Sequence, residues 1–147
     1  MSFYLVPEKY DFIPNHSDIT RSKEFLDEVL VASEIECWES DEAQVIGLLI
    51  YGSQQITCPI CKKISNFENP AAFGEMLTVQ SAETIEFKMD CCGKAVNLAQ
   101  IDLSPNTKFS RFAIHVLSDD RLSDENLTLI SDILGHKMIV IPQDDDE

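Results

Sequence analysis

The stretch Leu122-Ser123-Asp124-Glu125-Asn126-Leu127-Thr128-Leu129-Ile130-Ser131-Asp132-Ile133-Leu134-Gly135 carries the clearest local signal in the chain. Ser123 has the side chain of a helix N-cap, and Asp124 and Glu125 sit in the first turn, where the helix dipole favours negative charge. Leu122 can staple onto Leu127 across the cap. Leu127, Ile130 and Leu134 form one apolar stripe, flanked by Leu129 and Ile133, and Gly135 supplies the left-handed stop. Before this helix, Phe112, Ile114 and Val116 recur with the period of two of a half-buried strand. After it, Met138 to Ile141 is an apolar, β-branched run ended by Pro142. Strand, helix, strand in that order permits a right-handed crossover between parallel strands. The expected fold class is therefore α+β, with a mixed sheet and two to three helices.

Outward from this unit, Phe3 to Val6 reads as a short strand closed by Pro7. From Asp18 to about Ala32, Phe25, Leu26, Val29 and Leu30 recur at helical spacing, with Lys23, Glu24, Asp27 and Glu28 opposite them. Ile35 to Trp38 and Val45 to Tyr51 are strand candidates. Asn69 before Pro70 reads as a helix start, because proline at the first helical position gives up an amide that has no partner there. Ile85, Phe87 and Met89 alternate with Glu86 and Lys88, as in a strand with one buried face. No Gly- or Ser-rich linker divides the chain, so residues 1–143 are expected to form one domain, followed by an acidic disordered tail over residues 144–147.

Four of the five cysteines fall in two clusters, Cys58-Pro59-Ile60-Cys61 and, further on, Cys91-Cys92-Gly93-Lys94. Two thiolates held two residues apart on a tight turn can point at one tetrahedral centre, so the first cluster is half of a structural zinc site. Lys62, Lys63 and Lys94 follow the clusters directly and would offset thiolate charge. Both clusters lie between strand candidates, Gln55 to Thr57 and Ile85 to Met89 among them, as knuckles on two hairpins would. Adjacent side chains on an extended backbone diverge, so Cys91 and Cys92 can both be ligands only if the turn at Gly93 curls them inward. Otherwise one of them ligates, and His115, His136, Asp90 or a water completes the sphere. A thioredoxin-type redox pair would require a helix opening at Cys61, and the sequence shows none. Cys37, within Ile35-Glu36-Cys37-Trp38, reads as a small buried hydrophobe. The expected metal ligands are thus Cys58, Cys61, Cys91 and Cys92, with zinc as the possible cofactor.

At 147 residues, 11 Lys+Arg and 26 Asp+Glu leave a formal charge of −15. A chain of this length can bury enough surface to be stable without disulfides, and clustered cysteines then need another explanation. The acid is concentrated at the ends, in residues 1–42 and in the last four residues. Such a surface repels phosphate backbones and anionic lipid, so neither nucleic acid nor membrane is an expected partner, whereas a basic protein is. Residues 1–20 lack a basic start and an apolar run, and no stretch approaches the ~18 apolar residues of a membrane helix, so a cytoplasmic protein is expected. There is no G-x-x-x-x-G-K-[ST] loop and no G-x-G-x-x-G. Arg111, between Phe109 and Phe112, is a base in an apolar setting and is expected to pair with Asp102 or Asp90. His115 reads as a core or edge histidine, and His136 as a cap on a helix carbonyl.

Taken together, Tyr4-Leu5-Val6-Pro7, Asp11-Phe12-Ile13-Pro14, Cys58-Pro59-Ile60-Cys61, Cys91-Cys92-Gly93 leading into Asn97-Leu98, Phe109-Ser110-Arg111-Phe112 and Leu134-Gly135 span nearly the whole chain. In their order the chain resembles an uncharacterised bacterial family of small zinc-ribbon-like cytoplasmic proteins. The resemblance implies a single α+β domain with the cysteines facing one another, and no established activity. The family's usual first knuckle ends in Cys-Gly, and here Lys62 stands in the place of that glycine. The expected function is that of a non-enzymatic acidic binding protein, of the immunity type that neutralises a basic toxin domain. Its contact residues would be Glu24, Asp27 and Glu28 on the first helix, with Glu39, Asp41 and Glu42 after it. A zinc-stabilised adaptor, or a metal- or thiol-responsive enzyme, is the alternative.

Overall fold

The computed structural model describes residues 2–47, 53–69, 73–101, 103, 107–118 and 120–143. Four strands form the main sheet: β1 (Ser2–Pro7), β2 (Ala32–Gly47), β7 (Thr107–Ser118) and β8 (Met138–Gln143). They lie in the order β2-β7-β1-β8, and each neighbouring pair is antiparallel. Helix α1 (His16–Val29) connects β1 to β2, and α2 (Asp124–Leu134) connects β7 to β8. Between β2 and β7 the chain builds two separate hairpins, β3 (Ser53–Thr57) with β4 (Ile64–Glu68) and β5 (Glu86–Lys88) with β6 (Ala95–Asn97).

The fold is α+β, with one correction to the expected sheet. β7 and β8 run in the same direction, as the strand-helix-strand reading requires, but β1 is inserted between them and pairs with both. Phe3, for instance, faces Val116 on one side and Pro142 on the other. Every pairing is therefore antiparallel, and the sheet is not mixed. The physical reason is that the apolar N-terminal strand takes the central gap, where both its edges find ladder partners.

The helices form as their caps dictate. The Asn15 side chain accepts the Asp18 amide at 2.8 Å, starting α1 two residues before the expected Asp18, and the Ser123 hydroxyl accepts the Asn126 amide at 3.1 Å. Gly135 ends α2 at φ +79°, donating to the Ser131 carbonyl at 2.9 Å. Leu26 of α1 and Ile130 and Leu134 of α2 are buried against Phe3, Leu5, Phe112, Ile114 and Val116 on one face of the sheet. The helix expected to start at Asn69-Pro70 falls on residues 70–72, which lie outside the described residues; Asn69 itself has φ +48°, and a 3-10 turn follows at Met76–Thr78. The acidic tail over 144–147 also lies outside them.

Ile35–Trp38 and the described part of Val45–Tyr51 belong to one strand, β2, rather than two. Its pairing with β7 is interrupted between Glu39↔Phe112 and Gln44↔Ser110, so four residues of β2 face Arg111 alone. Glu83 closes this gap. Its carboxylate accepts the Ala43 amide at 2.6 Å and a two-pronged bond from the Arg111 guanidinium, while the Arg111 amide donates to the Tyr10 carbonyl at 2.8 Å. Arg111 thus pairs with Glu83, not with Asp90, and Asp102 lies outside the described residues. Through this bridge the sheet is joined to the hairpin half, whose own core contains Ala43, Ile56, Cys58, Phe67, Ile85, Met89 and Phe109.

Arg111 holds the Glu83 carboxyl below the usual carboxylate range, against the opposing effect of burial. A depressed native value means that the bridge stabilises fully above about pH 4.5 and that this contribution is lost as the pH falls below it. Replacing Glu83 with Ala is expected to cost about 2 kcal/mol near pH 7, because a charged hydrogen-bond partner is removed from a partly buried arginine. Urea melts between pH 7 and pH 3 should show the difference between wild type and E83A shrinking toward the acid end.

Candidate metal centre

The tip of each small hairpin is a knuckle, and the two knuckles have the same backbone wiring. In the first, the Lys62 amide donates to the Cys58 carbonyl and the Cys58 amide to the Lys63 carbonyl, both at 3.0 Å. In the second, the Gly93 amide donates to the Met89 carbonyl at 2.7 Å and the Met89 amide to the Lys94 carbonyl at 3.0 Å. Lys62 and Gly93, each four residues into its knuckle, are both left-handed, at φ +66° and +70°. Aligned this way, Cys92 corresponds to Cys61, and Met89 stands where the first knuckle has Cys58. Cys91 corresponds to Ile60, a position that carries no ligand in the first knuckle.

Met89 is buried in the hairpin core, and the second sulfur comes instead from Cys91, one residue before Cys92. The turn at Gly93 curls both side chains inward, so the divergence expected of adjacent residues on an extended backbone does not occur. The Sγ atoms of Cys58, Cys61, Cys91 and Cys92 all lie within 4.8 Å of one another. Cys58 Sγ is 3.8 Å from Cys92 Sγ, and Cys61 Sγ is 3.2 Å from Cys91 Sγ. Metal–sulfur bonds of about 2.3 Å in a tetrahedron imply sulfurs about 3.8 Å apart, so one cation fits within the cluster after small movements. Among the described residues, Asp90, His115 and His136 are not part of it.

The electrostatics of the cluster favour a thiolate at Cys58 and oppose one at Cys91. The amides of Ile60 and Cys61 both point at Cys58 Sγ, each at 3.4 Å. The Cys61 amide is the main cause of a Cys58 thiol drawn down to about 6; burial pushes the other way, and the Ile60 amide and the Cys91 and Cys61 thiols add to the drop. Cys91 moves in the opposite direction, to about 12, because its thiol is hydrogen-bonded to Cys61 and buried beside Cys58 and Cys92. Without a cation Cys58 is thus the early thiolate and Cys91 retains its proton; a bound cation would displace that proton. A cavity of about 500 Å³ against Cys58 is lined by Glu8, Lys9, Lys62, Lys108 and His136 among others.

The other candidates are elsewhere. Cys37 is half-buried on β2, facing the helices, and its thiol is raised by burial. His115 stacks on Tyr4 with ring centroids 4.5 Å apart. The His136 amide caps the Ser131 carbonyl at 3.1 Å at the end of α2, while its Nε2 accepts the Lys9 amide at 3.2 Å and its ring stacks on Phe12. Glu24, Asp27 and Glu28 are exposed on α1, and Glu39, Asp41 and Glu42 are exposed along the interrupted part of β2. Glu39 lies 3.5 Å from His16, so the start of α1 and this segment share one surface.

Comparison with protein families, curated proteins and solved structures returns no match to this chain. Among the described residues, no helix is long and apolar enough to cross a membrane.

Two measurements check this geometry. Lys62→Gly is expected to stabilise the protein by about 0.5–1 kcal/mol, because glycine adopts positive φ without the steric cost a lysine meets there. Gly93→Ala should destabilise it by about 1 kcal/mol for the same reason in reverse. In the reduced, metal-free protein, thiolate absorbance near 240 nm should show an early ionisation near pH 6 from Cys58, with the Cys91 thiol ionising only near pH 12. Because Cys58 is depressed from an ordinary value of 9.0, its stabilising contribution is complete above that pH and disappears as the pH falls through about 6.

Proposed function

We propose that the four cysteines hold a structural zinc ion in a zinc-ribbon-like site, and that the protein is a non-enzymatic acidic binding protein of the reducing cytoplasm. The convergence of four sulfurs on one point carries this reading. Four thiolates close a tetrahedral sphere and leave no position for a substrate or a reactive water, which is the arrangement of a structural rather than a catalytic zinc. The adjacent ligand pair Cys91-Cys92 makes it an irregular member of that class. The same reading follows from the resemblance to small bacterial zinc-ribbon-like proteins.

If the metal supports the fold, function falls to the surface, and that surface is acidic. Exposed carboxylates on α1 and along β2 outnumber their close cationic partners, which include Arg21 for Asp18 and the weakly basic His16 for Glu39. A basic protein domain is the partner such a surface captures fastest, through electrostatic steering. Neutralisation of a basic toxin domain, as an immunity-type protein would perform, is the most specific form of this function.

Elemental analysis of protein purified under reducing conditions should give one zinc per chain, and Cys58→Ser should lose it. Chelation should release amide-exchange protection over 53–68 and 86–97 first, while β1 and β7 stay protected. Retained protection in the zinc-free protein would count against a structural metal. For the surface, reversing Glu24, Asp27 and Glu28 to lysine together should slow association with a basic toxin domain encoded beside the protein's gene at least tenfold at low salt. Unchanged association kinetics would remove the acidic helix from the interface.

A further inference from the structure

Within the sulfur cluster the four positions are not equivalent. Cys58 is fully buried, its sulfur engaged by two amides, whereas Cys61 is exposed at the rim and Cys91 is half-buried. Cys61 and Cys91 also form the shorter cross-hairpin approach, 3.2 Å against 3.8 Å for Cys58 and Cys92. Cys91 is the ligand that the shared knuckle wiring does not provide for: it occupies the position of Ile60, and the position equivalent to Cys58 is taken by Met89. Its removal from the metal leaves the backbone hydrogen bonds of both knuckles intact, since those bonds run through residues 58, 62, 63, 89, 93 and 94.

From this asymmetry we propose that Cys61 and Cys91 are a modification site, oxidised to a disulfide by a small-molecule disulfide such as oxidised glutathione, with release of the metal. The inference rests on the zinc reading above for the released ion, and on the sulfur geometry alone for the pair. The Cys61 thiolate, the accessible one, attacks a sulfur of oxidised glutathione, forming a mixed disulfide and expelling one glutathione thiolate. The Cys91 thiolate then attacks the Cys61 sulfur and expels the second. Two cysteine thiolates are oxidised, one glutathione disulfide is reduced to two thiols, and zinc, deprived of two ligands, leaves as the free ion. The new bond joins the same two hairpins that the metal joined, so one cross-link replaces the other. The ribbon half then remains closed in an oxidising environment.

The test uses the full-length, zinc-loaded protein, titrated with oxidised glutathione in the presence of a chromophoric zinc chelator. Expected are release of one zinc per chain, a single Cys61–Cys91 disulfide in non-reducing peptide maps, and retained amide protection over 53–68 and 86–97. Cys91→Ser should abolish the disulfide, while Cys37→Ser should change nothing. If a folding defect obscures Cys91→Ser, the peptide map of the wild-type protein decides alone. A disulfide between Cys58 and Cys92 or within either cluster, or zinc loss with only glutathionylated cysteines, would overturn the proposal. Absence of zinc from the reduced protein would defeat the metal reading and leave the pair to be judged by the same map on metal-free protein.

Discussion

Two hairpins too short to stand alone face one another across a cluster of four sulfur atoms. A paired ribbon of three or five residues per strand buries little and is marginal in water. The hairpin half must therefore be stabilised by its own core, by the sheet beside it and by whatever joins the two knuckles. The sulfurs of Cys58, Cys61, Cys91 and Cys92 sit where that joint is needed, at the tips, farthest from the hydrogen bonds of either hairpin base. A cation held by all four thiolates would have a closed coordination sphere, with no position left for chemistry on it.

The second joint is the Glu83 carboxylate. β7 is long enough to serve both halves, with Phe112, Ile114 and Val116 packed under the helices and Phe109 in the hairpin core. Its partner β2 must change register to follow it, and the unpaired amides at the break need acceptors. The Arg111 amide finds the Tyr10 carbonyl, and one carboxylate from the hairpin half accepts both the Ala43 amide and the Arg111 guanidinium, so the irregularity in the sheet becomes the attachment point for the neighbouring unit. The exposed Asp41 and Glu42 lie on this same break, which places acid on a segment whose backbone is already turned out of the regular ladder.

Several elements were legible because their causes are local. The cap at Ser123, the stripe through Ile130 and Leu134 and the stop at Gly135 depend on neighbours within a few residues, and α2 forms where they place it. The alternation at Phe112, Ile114 and Val116 located β7 for the same reason, and C-x2-C at Cys58 marked a knuckle. The Arg111 partner was not legible, because Glu83 is distant in sequence and reaches Arg111 only through a break in strand pairing. The role of Met89 left a trace that local reading missed: Cys92-Gly93 repeats the spacing of Cys61-Lys62, and counting back three residues from Cys92 gives Met89. The separate strand expected after Val45 merged into β2 because pairing with β7 continues past the bulge.

The sequence alone determined the α+β composition, both long helices, the terminal concentration of acid and the two cysteine turns, since each follows from short-range spacing and from charge. Tertiary structure decided that β1 enters between β7 and β8, that Lys62 accepts a left-handed turn, and that adjacent Cys91 and Cys92 face one centre. Those outcomes depend on which distant backbone groups are free to pair, and on the curl a turn acquires once its ends are fixed, neither of which is encoded in any local pattern of residues.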